Sequence, residues 1–455
     1  MLAGIGAAAG YYYYDQTHPP SILGKSSEQF VPTAGPNPTT TSPAHTTTPA
    51  KHARTIAIPW PTYGYDPQRT HVSPYPLRPP YRKLWFVRTG YYIEYPPIVA
   101  YGRLFLAQQH GRFYAIDAKT GKLAWVQHFA PMCTAASPAV WHGVVYQPYL
   151  PPPCSYGDRS QPGLIVGMAE KTGRIVWRLR GPASESSPLV LGHTMYFGSW
   201  DHNLYALDLA THKVRWKFQG DGELNSSPAY AGGTIYIGSH EGTIYAVDAS
   251  TGKERWSAHS FSRFGSREEF YATPAVAYGR VYAGNADGHV YSFGASTGDL
   301  IWAQPAGTYV YSAPAVWNKT VYVGSYDGNV YAFDAATGRL RWTYASPGSI
   351  HGGPTIMDGL VYYSVCGTCG SHGSRYAKLG PRSTFALDAR TGKLVWKYPD
   401  GRYSPVVADQ QHMYMTGDTW EYAFVPKAAV KAGRAGARGS RSSGPARAKR
   451  RPHRK

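Results

Sequence analysis

Residues 320–342 read TVYVGSYDGNVYAFDAATGRLRW. Three other stretches repeat the same parts in the same order: TMYFGSWDHNLYALDLATHKVRW at 194–216, TIYIGSHEGTIYAVDASTGKERW at 234–256 and RVYAGNADGHVYSFGASTGDLIW at 280–302. Each contains two runs that alternate apolar and polar residues, the pattern of half-buried strands. A short turn such as Tyr326-Asp327-Gly328 joins them, because glycine accepts the positive φ that a tight hairpin needs. A second turn, D-x-x-T-G, leads into a strand that carries a tryptophan. Asp and Thr side chains bond nearby turn amides there, and the glycine supplies the left-handed residue. Asp117, Asp208, Asp248, Asp334 and Asp388 hold the first turn position; Ala169 and Gly294 replace it in two copies, and His212 replaces the glycine in one.

Outward from these stretches, a short motif precedes each set: Ser137-Pro138, Ser187-Pro188, Ser227-Pro228, Thr273-Pro274, Ala313-Pro314, Gly353-Pro354 and Ser404-Pro405. It introduces a fourth strand. Four strands in about 40 residues suit a propeller blade better than a solenoid coil. Eight tryptophan strands can be counted, at Trp85, Trp125, Trp177, Trp216, Trp256, Trp302, Trp342 and Trp396. The strand at 82–88 has no D-x-x-T-G before it, and 403–425 holds three strands with no tryptophan strand after them. The predicted fold is therefore all-β: an eight-bladed β-propeller of four-stranded antiparallel blades, closed by an N-terminal strand that completes the last blade. Closure leaves no long open sheet edge. The eight tryptophans are expected to be structural, packed between neighbouring blades.

The tryptophan spacing widens before Trp177, Trp302 and Trp396. Extra residues in a rigid repeat go to loops, and loops carry function. The long ones fall near 149–162, 260–270 and 365–382. Four domains follow from composition: 1–14, 15–80, 81–426 and 427–455. Residues 1–14 read as a partial membrane anchor or a disordered start. Their apolar run is about half of the roughly 20 residues that span a bilayer, and the tyrosines after it are rings of the kind that collect at a membrane interface. Residues 15–80 read as a Pro/Thr-rich linker. The tail from 427 holds eleven Lys or Arg and no acidic residue, so most of the net charge of +19 lies there. It is expected to be disordered. Its charge suits an anionic cell-envelope polymer, and the lack of interleaved aromatics argues against specific nucleic-acid binding. Cys133, Cys154, Cys366 and Cys369 are the only cysteines. They read as a pair of loop-stapling disulfides in an oxidising compartment. A redox or metal role for Cys366, Cys369 and His372 is the other reading.

The Y-A-x-D-x-x-T-G-x-x-x-W copies across 84–426 resemble the pyrroloquinoline-quinone (PQQ) repeat family. That family includes quinoprotein dehydrogenases and non-catalytic propellers, such as the lipoprotein scaffold of the outer-membrane barrel-assembly machinery. The dehydrogenases carry adjacent cysteines over the cofactor and a calcium ion beside a catalytic Asp. This sequence has no adjacent cysteines, and Gly370 after Cys369 rules out a C-x-x-C-H haem motif. The resemblance thus implies a non-catalytic, monomeric binding or scaffold module, with no cofactor, for a protein or anionic envelope partner. The module would be tethered to the cell membrane by its N-terminal anchor with the propeller outside the cytoplasm, or secreted. The alternatives are a dehydrogenase using PQQ with calcium at an atypical site, and a small-molecule-sensing ectodomain.

Overall fold

The computed structural model describes residues 20–26, 28–32, 58–152, 161–263, 266–366, 380–403 and 406–427. These form an eight-bladed β-propeller with no helix. Blades 1 to 8 are counted by their inner strands: Ile98–Ala100, Ala139–Trp141, Leu189–Leu191, Ala229–Ala231, Ala275–Ala277, Ala315–Trp317, Thr355–Met357 and Val407–Ala408. Blade 6 is typical, continuing outward through Thr320–Gly324, Asn329–Asp334 and Leu340–Ala345, each antiparallel to the last. Blade 8 takes its outer strand, Tyr81–Arg88, from the start of the ring and pairs it with Trp420–Pro426. The predicted closure is therefore observed.

The repeat residues knit each blade to the next. The indole N–H of Trp302 in blade 5 donates to Ala335 O in blade 6 at 3.3 Å, and Tyr282 Oη donates to the same oxygen at 3.0 Å. A carbonyl has two lone pairs, so one acceptor serves both rings. Trp256 and Tyr236 share Ala295 O in the same way, and Trp342 and Tyr322 share Ala389 O. The glycine of the D-x-x-T-G turn lies flat against the preceding tryptophan. At Gly338, where φ is +72°, a Cβ would come within 2.8 Å of the Trp302 ring. Blade 3 departs with His212, at φ 57°, whose ring stacks on Trp177 at 4.8 Å.

Two segments inside the predicted linker, 15–80, are part of the fold instead. Ile22–Leu23, within a strap of residues 20–26 and 28–32, adds a fifth strand to blade 5, with Ile22 opposite Ala303 and Leu23 opposite Trp302. This strap also repairs one of the two blades that lack the turn aspartate. In blade 6, Asp334 Oδ1 accepts from the Ala336 and Thr337 amides and the Thr337 hydroxyl. In blade 5 the residue in that place is Gly294, and Glu28 supplies the carboxylate. Its oxygens accept from Ser296 N at 3.2 Å, Ser296 Oγ at 2.8 Å and Thr297 Oγ1 at 2.8 Å.

The second segment, 60–73, fills the central channel. Inner strands carry backbone groups with no further strand to pair with, and buried ones must find partners. Residues of the plug meet successive blades. Trp60 exchanges two backbone bonds with Val99 of blade 1. Pro67 O accepts from Tyr230 N of blade 4 at 2.7 Å, Gln68 O from Val276 N of blade 5 at 2.9 Å, Thr70 O from Val316 N of blade 6 at 3.0 Å, and His71 O from Ile356 N of blade 7 at 2.8 Å. Arg69 is wholly buried and donates to Pro228 O at 3.0 Å and Ser187 O at 3.1 Å. A Pro-containing stretch reads as linker by composition, yet its free carbonyls are what the channel wall needs.

Candidate functional site: the channel mouth

The segment before each inner strand crosses from blade to blade on one face of the ring. The residue just before the repeat proline hoops neighbouring blades together: Ser137 N donates to Ser187 Oγ at 2.9 Å, Ser187 N to Ser227 Oγ at 2.9 Å, and Ser227 N to Thr273 Oγ1 at 3.2 Å. Two residues further back, each blade has one position whose residue varies around the ring. Around the ring it is Glu94, Ala135, Glu185, Asn225, Tyr271, Tyr311, His351 and Arg402. The repeat keeps its offset there and varies its chemistry.

Several of these side chains meet one another. Tyr271 Oη of blade 5 donates to Glu185 of blade 3 at 3.1 Å. The Tyr271 and Tyr311 rings lie 5.2 Å apart, Tyr311 and His351 5.8 Å, and His351 and Tyr403 5.3 Å. Tyr326, from the hairpin turn of blade 6, places its hydroxyl 2.6 Å from His351 Nδ1. Tyr311 Oη donates to Glu269 at 2.6 Å, and His240 stands 3.3 Å from Glu269 and 3.6 Å from Glu223. Arg402 lies over the Tyr92 ring at 4.2 Å and the Tyr403 ring at 5.0 Å, and pairs with Asp418.

A cavity of about 20 Å³, room for roughly one water, sits at the centre, lined by Tyr63, Glu94, Tyr95, Tyr311, His351 and Tyr403, among others. Its floor is Tyr63, the top of the plug, which packs on Tyr95 at 5.4 Å and on His71 at 4.9 Å. Burial controls the charge here. It pushes Glu94 up to about 8, with Glu185 adding to the rise and Arg402 opposing it. It holds His351 down to about 4, so the ring is neutral at pH 7.

None of the eight repeat tryptophans lines this cavity. The tryptophans lie in the outer strands. Cys133 and Cys366 are buried and each is disulfide-bonded; Cys154 and Cys369 fall outside the described residues. Cys366 belongs to the apolar cluster of Tyr311, Tyr326 and Tyr403 beside the mouth. The three long loops all leave the ring on the mouth face. Those at 149–162 and 365–382 join second and third strands, and that at 260–270 joins blades 4 and 5. Within the last, Ser262–Arg263 pairs with Ser266–Arg267. The anchor, the Pro/Thr stretch at 33–57 and the basic tail beyond 427 fall outside the described residues. Among the described residues, no helix is long and apolar enough to cross a membrane.

A family model described as outer membrane protein assembly factor BamB, of the PQQ-repeat class, matches residues 82–149, 155–286, 201–312 and 286–425. The chain belongs to this family. No curated protein matches it by sequence. Among solved structures, BamB from Moraxella catarrhalis superposes with a TM-score of 0.60 at 16% identity, over 76% of this chain and 99% of that one. Quinohemoprotein alcohol dehydrogenase from Comamonas testosteroni gives 0.63 at 14%, over 83% and 82%. The computationally designed Ika8 protein gives 0.59 at 15%, over 76% and 100%. At such identities the likeness shows the fold alone, and this fold hosts an assembly factor, an alcohol dehydrogenase and a designed protein.

The dehydrogenase neighbours raise the question of PQQ with calcium. PQQ is a flat tricarboxylate. The mouth offers it Glu94, Glu185, Glu223 and Glu269, with Arg402 already paired to Asp418. The plug occupies the channel below Tyr63, and no group of three or more His, Cys, Asp or Glu among the described residues is placed to hold a metal ion. These residues do not fit that cofactor.

Proposed function

We propose that this propeller is a non-catalytic binding or scaffold module that presents its channel mouth to a protein partner. The observation that carries this reading is the plug: residues 60–73 fill the chain's own channel, leaving only a void of about 20 Å³ among tyrosines and Glu94. The concentration of all three long loops on the same face supports it. Membership of the BamB family supports a place in the cell envelope, and so do the disulfide-bonded Cys133 and Cys366. The membrane tether remains part of the proposal and rests on the 1–14 sequence.

The test uses the full chain. A photo-crosslinking residue at Tyr309, on the mouth, should give one discrete protein adduct in the native envelope, and one at Val395, on an outer strand, should not. In parallel the purified chain is titrated calorimetrically with PQQ and Ca²⁺ and assayed for dye-linked alcohol oxidation. Calcium-dependent PQQ binding with dye reduction would overturn the proposal, as would adducts from Val395 alone.

A further inference from the structure

The turn that leads into each tryptophan strand is built around a carboxylate. In blades 1, 3, 4, 6 and 7 it belongs to Asp117, Asp208, Asp248, Asp334 and Asp388, each accepting from the amide and the hydroxyl of the turn threonine. In blade 5 it comes from outside the blade, on Glu28 of the strap. Blade 2 has neither. Ala169 holds the aspartate place, and among the described residues the Lys171 amide and the Thr172 hydroxyl donate to no protein acceptor. The nearest acid in sequence, Glu170, is buried and pairs with Arg103 of blade 1.

The outer strand of blade 2, Ile175–Gly181, is a sheet edge. It pairs inward with Gly163–Ala169, and no described strand lies on its other side. Such an edge is a template for a further strand, and blade 5 shows how one docks. There Ile22 and Leu23 pair with Ala303 and Trp302, Gly24 N donates to Ile301 O at 2.8 Å, and Glu28 reaches the turn. Blade 2 keeps the same register. Trp177 lies opposite Gly167 and Ile175 opposite Met168, the irregularity that also sets Trp302 opposite Ser292 and Leu300 opposite Phe293. Val176 and Arg178 therefore correspond to Ile301 and Ala303.

Charge distinguishes the two edges. Three residues before the tryptophan, blade 5 has Asp299, which accepts from Ser26 Oγ of the strap at 3.4 Å. Blade 2 has Arg174 there. Lys171, Arg174, Arg178 and Arg180 are all exposed, and among the described residues none is joined to a carboxylate. In blades 4 and 6, by contrast, Arg255 and Arg341 pair with the turn aspartates.

We propose that the outer edge of blade 2 is a docking site for an acidic extended segment of a partner protein. The segment adds a fifth strand along Ile175–Gly181 and places a carboxylate on the turn at 169–173, as Glu28 does in blade 5. Lys25 of the strap would come beside Arg174 there, so an acidic segment fits this edge better than a second copy of the strap. The surface lies on an outer strand, and the inference stands apart from the reading of the mouth.

The experiment uses the full chain and a fluorescein-labelled peptide of residues 21–30 carrying Lys25→Glu, which keeps the strap's spacing between its paired residues and its carboxylate. Anisotropy reads the affinity, and hydrogen exchange by mass spectrometry reads the place. At saturation, exchange of peptides covering 169–181 should slow by ~10-fold or more. The same peptide carrying Glu28→Gln as well should bind ~5- to 10-fold more weakly. Ala169→Asp in the protein puts the usual repeat residue in its place, so it should fold. It should weaken the first peptide by a similar factor and abolish the difference between the two. Arg178→Glu should weaken both by at least ~10-fold. Equal affinity of the two peptides for the wild-type chain, or no binding at millimolar peptide, would overturn the inference. So would protection confined to 300–305, which would mean that the peptide had exchanged with the strap. Binding that heparin abolishes but Ala169→Asp leaves unchanged would mark an unspecific polyanion surface and overturn it too.

Discussion

Glycine at position 294 is the place where the strap and the blade compete for one carboxylate. In the intact chain Glu28 accepts three hydrogen bonds from the blade 5 turn. The groups are largely exposed, so each bond is worth about 0.5–1 kcal/mol net. Together they hold the strap by about 2 kcal/mol, or ~30-fold in its opening equilibrium. A Cβ on residue 294 would lie 1.7 Å from Glu28 Oε2, so even Gly294→Ala must expel that side chain. Gly294→Asp expels it and also supplies the missing turn carboxylate. The strap then relies on the Ile22–Leu23 ladder, the Gly24 N to Ile301 O bond, the Val31 N to Tyr278 O bond and the Phe30 ring on Tyr278. Hydrogen exchange measured by mass spectrometry on the full chain separates the effects. Glu28→Ala should speed exchange of peptides covering 20–32 by ~10- to 100-fold. Gly294→Asp should do at least as much there, yet leave the thermal midpoint of the propeller within about a degree of wild type, because the turn is satisfied again. The double variant should behave as Gly294→Asp alone, the non-additivity expected of two groups sharing one site. Unchanged exchange of 20–32 in Gly294→Asp would refute the view that Glu28 stands in for the repeat aspartate.

Three further outcomes are expected. Arg69→Met should cost about 3–5 kcal/mol in urea unfolding, because it leaves the Ser187 and Pro228 carbonyls buried without their charged donor; a loss under about 1 kcal/mol would mean the plug is not integral to the ring. Gly338→Ala combines a left-handed backbone with a Cβ pressed into Trp302, and should destabilise by about 2–4 kcal/mol by the same measurement. Glu421 is fully buried, bonded by Thr416 Oγ1 at 2.9 Å, and pushed up to about 8 by burial. A carboxyl raised in the folded state contributes stability that is present below its ordinary value and lost as pH rises toward 8. Glu421→Gln should therefore remove part of the decline between pH 5 and pH 8, by up to a few kcal/mol, in paired pH–stability curves. Glu94 slopes the same way in both proteins and cancels in the difference. Superimposable curves would show that Glu421 ionises without penalty.

The propeller was legible because its information is periodic. Asp, Thr-Gly and Trp recur at fixed offsets, and each offset corresponds to one bond or one ring contact, as at Asp334, Gly338 and Trp302. Even the departures are informative after the fact: Gly294 marks where the strap docks, and His212 marks a stacked substitute for the glycine. The plug was not legible. It binds through the carbonyls of Pro67, Gln68, Thr70 and His71, and a carbonyl is common to every residue. Its side chains gave a fainter signal. Trp60, Tyr63, Tyr65, Arg69 and His71 are out of place in a Pro/Thr-rich linker, and their density separates 58–80 from 31–50. The mouth had a signal that went unused. One position per blade sits at a constant distance before the repeat proline and runs Glu, Ala, Glu, Asn, Tyr, Tyr, His, Arg.

That contrast ties the fold to its function. Positions that join blade to blade are nearly invariant within this one chain, because every blade faces the same geometric problem. Positions at the mouth escape that constraint, since Glu94, Tyr311 and His351 share a single space and symmetry there would give like charges or like rings. Burial raises Glu94, with Glu185, a second glutamate, adding to the rise and Arg402 opposing it. The plug adds the last asymmetric element, placing Tyr63 beneath them. A symmetric frame thus gathers unlike groups, tyrosines beside carboxylates, by confining its variation to one position of the repeat.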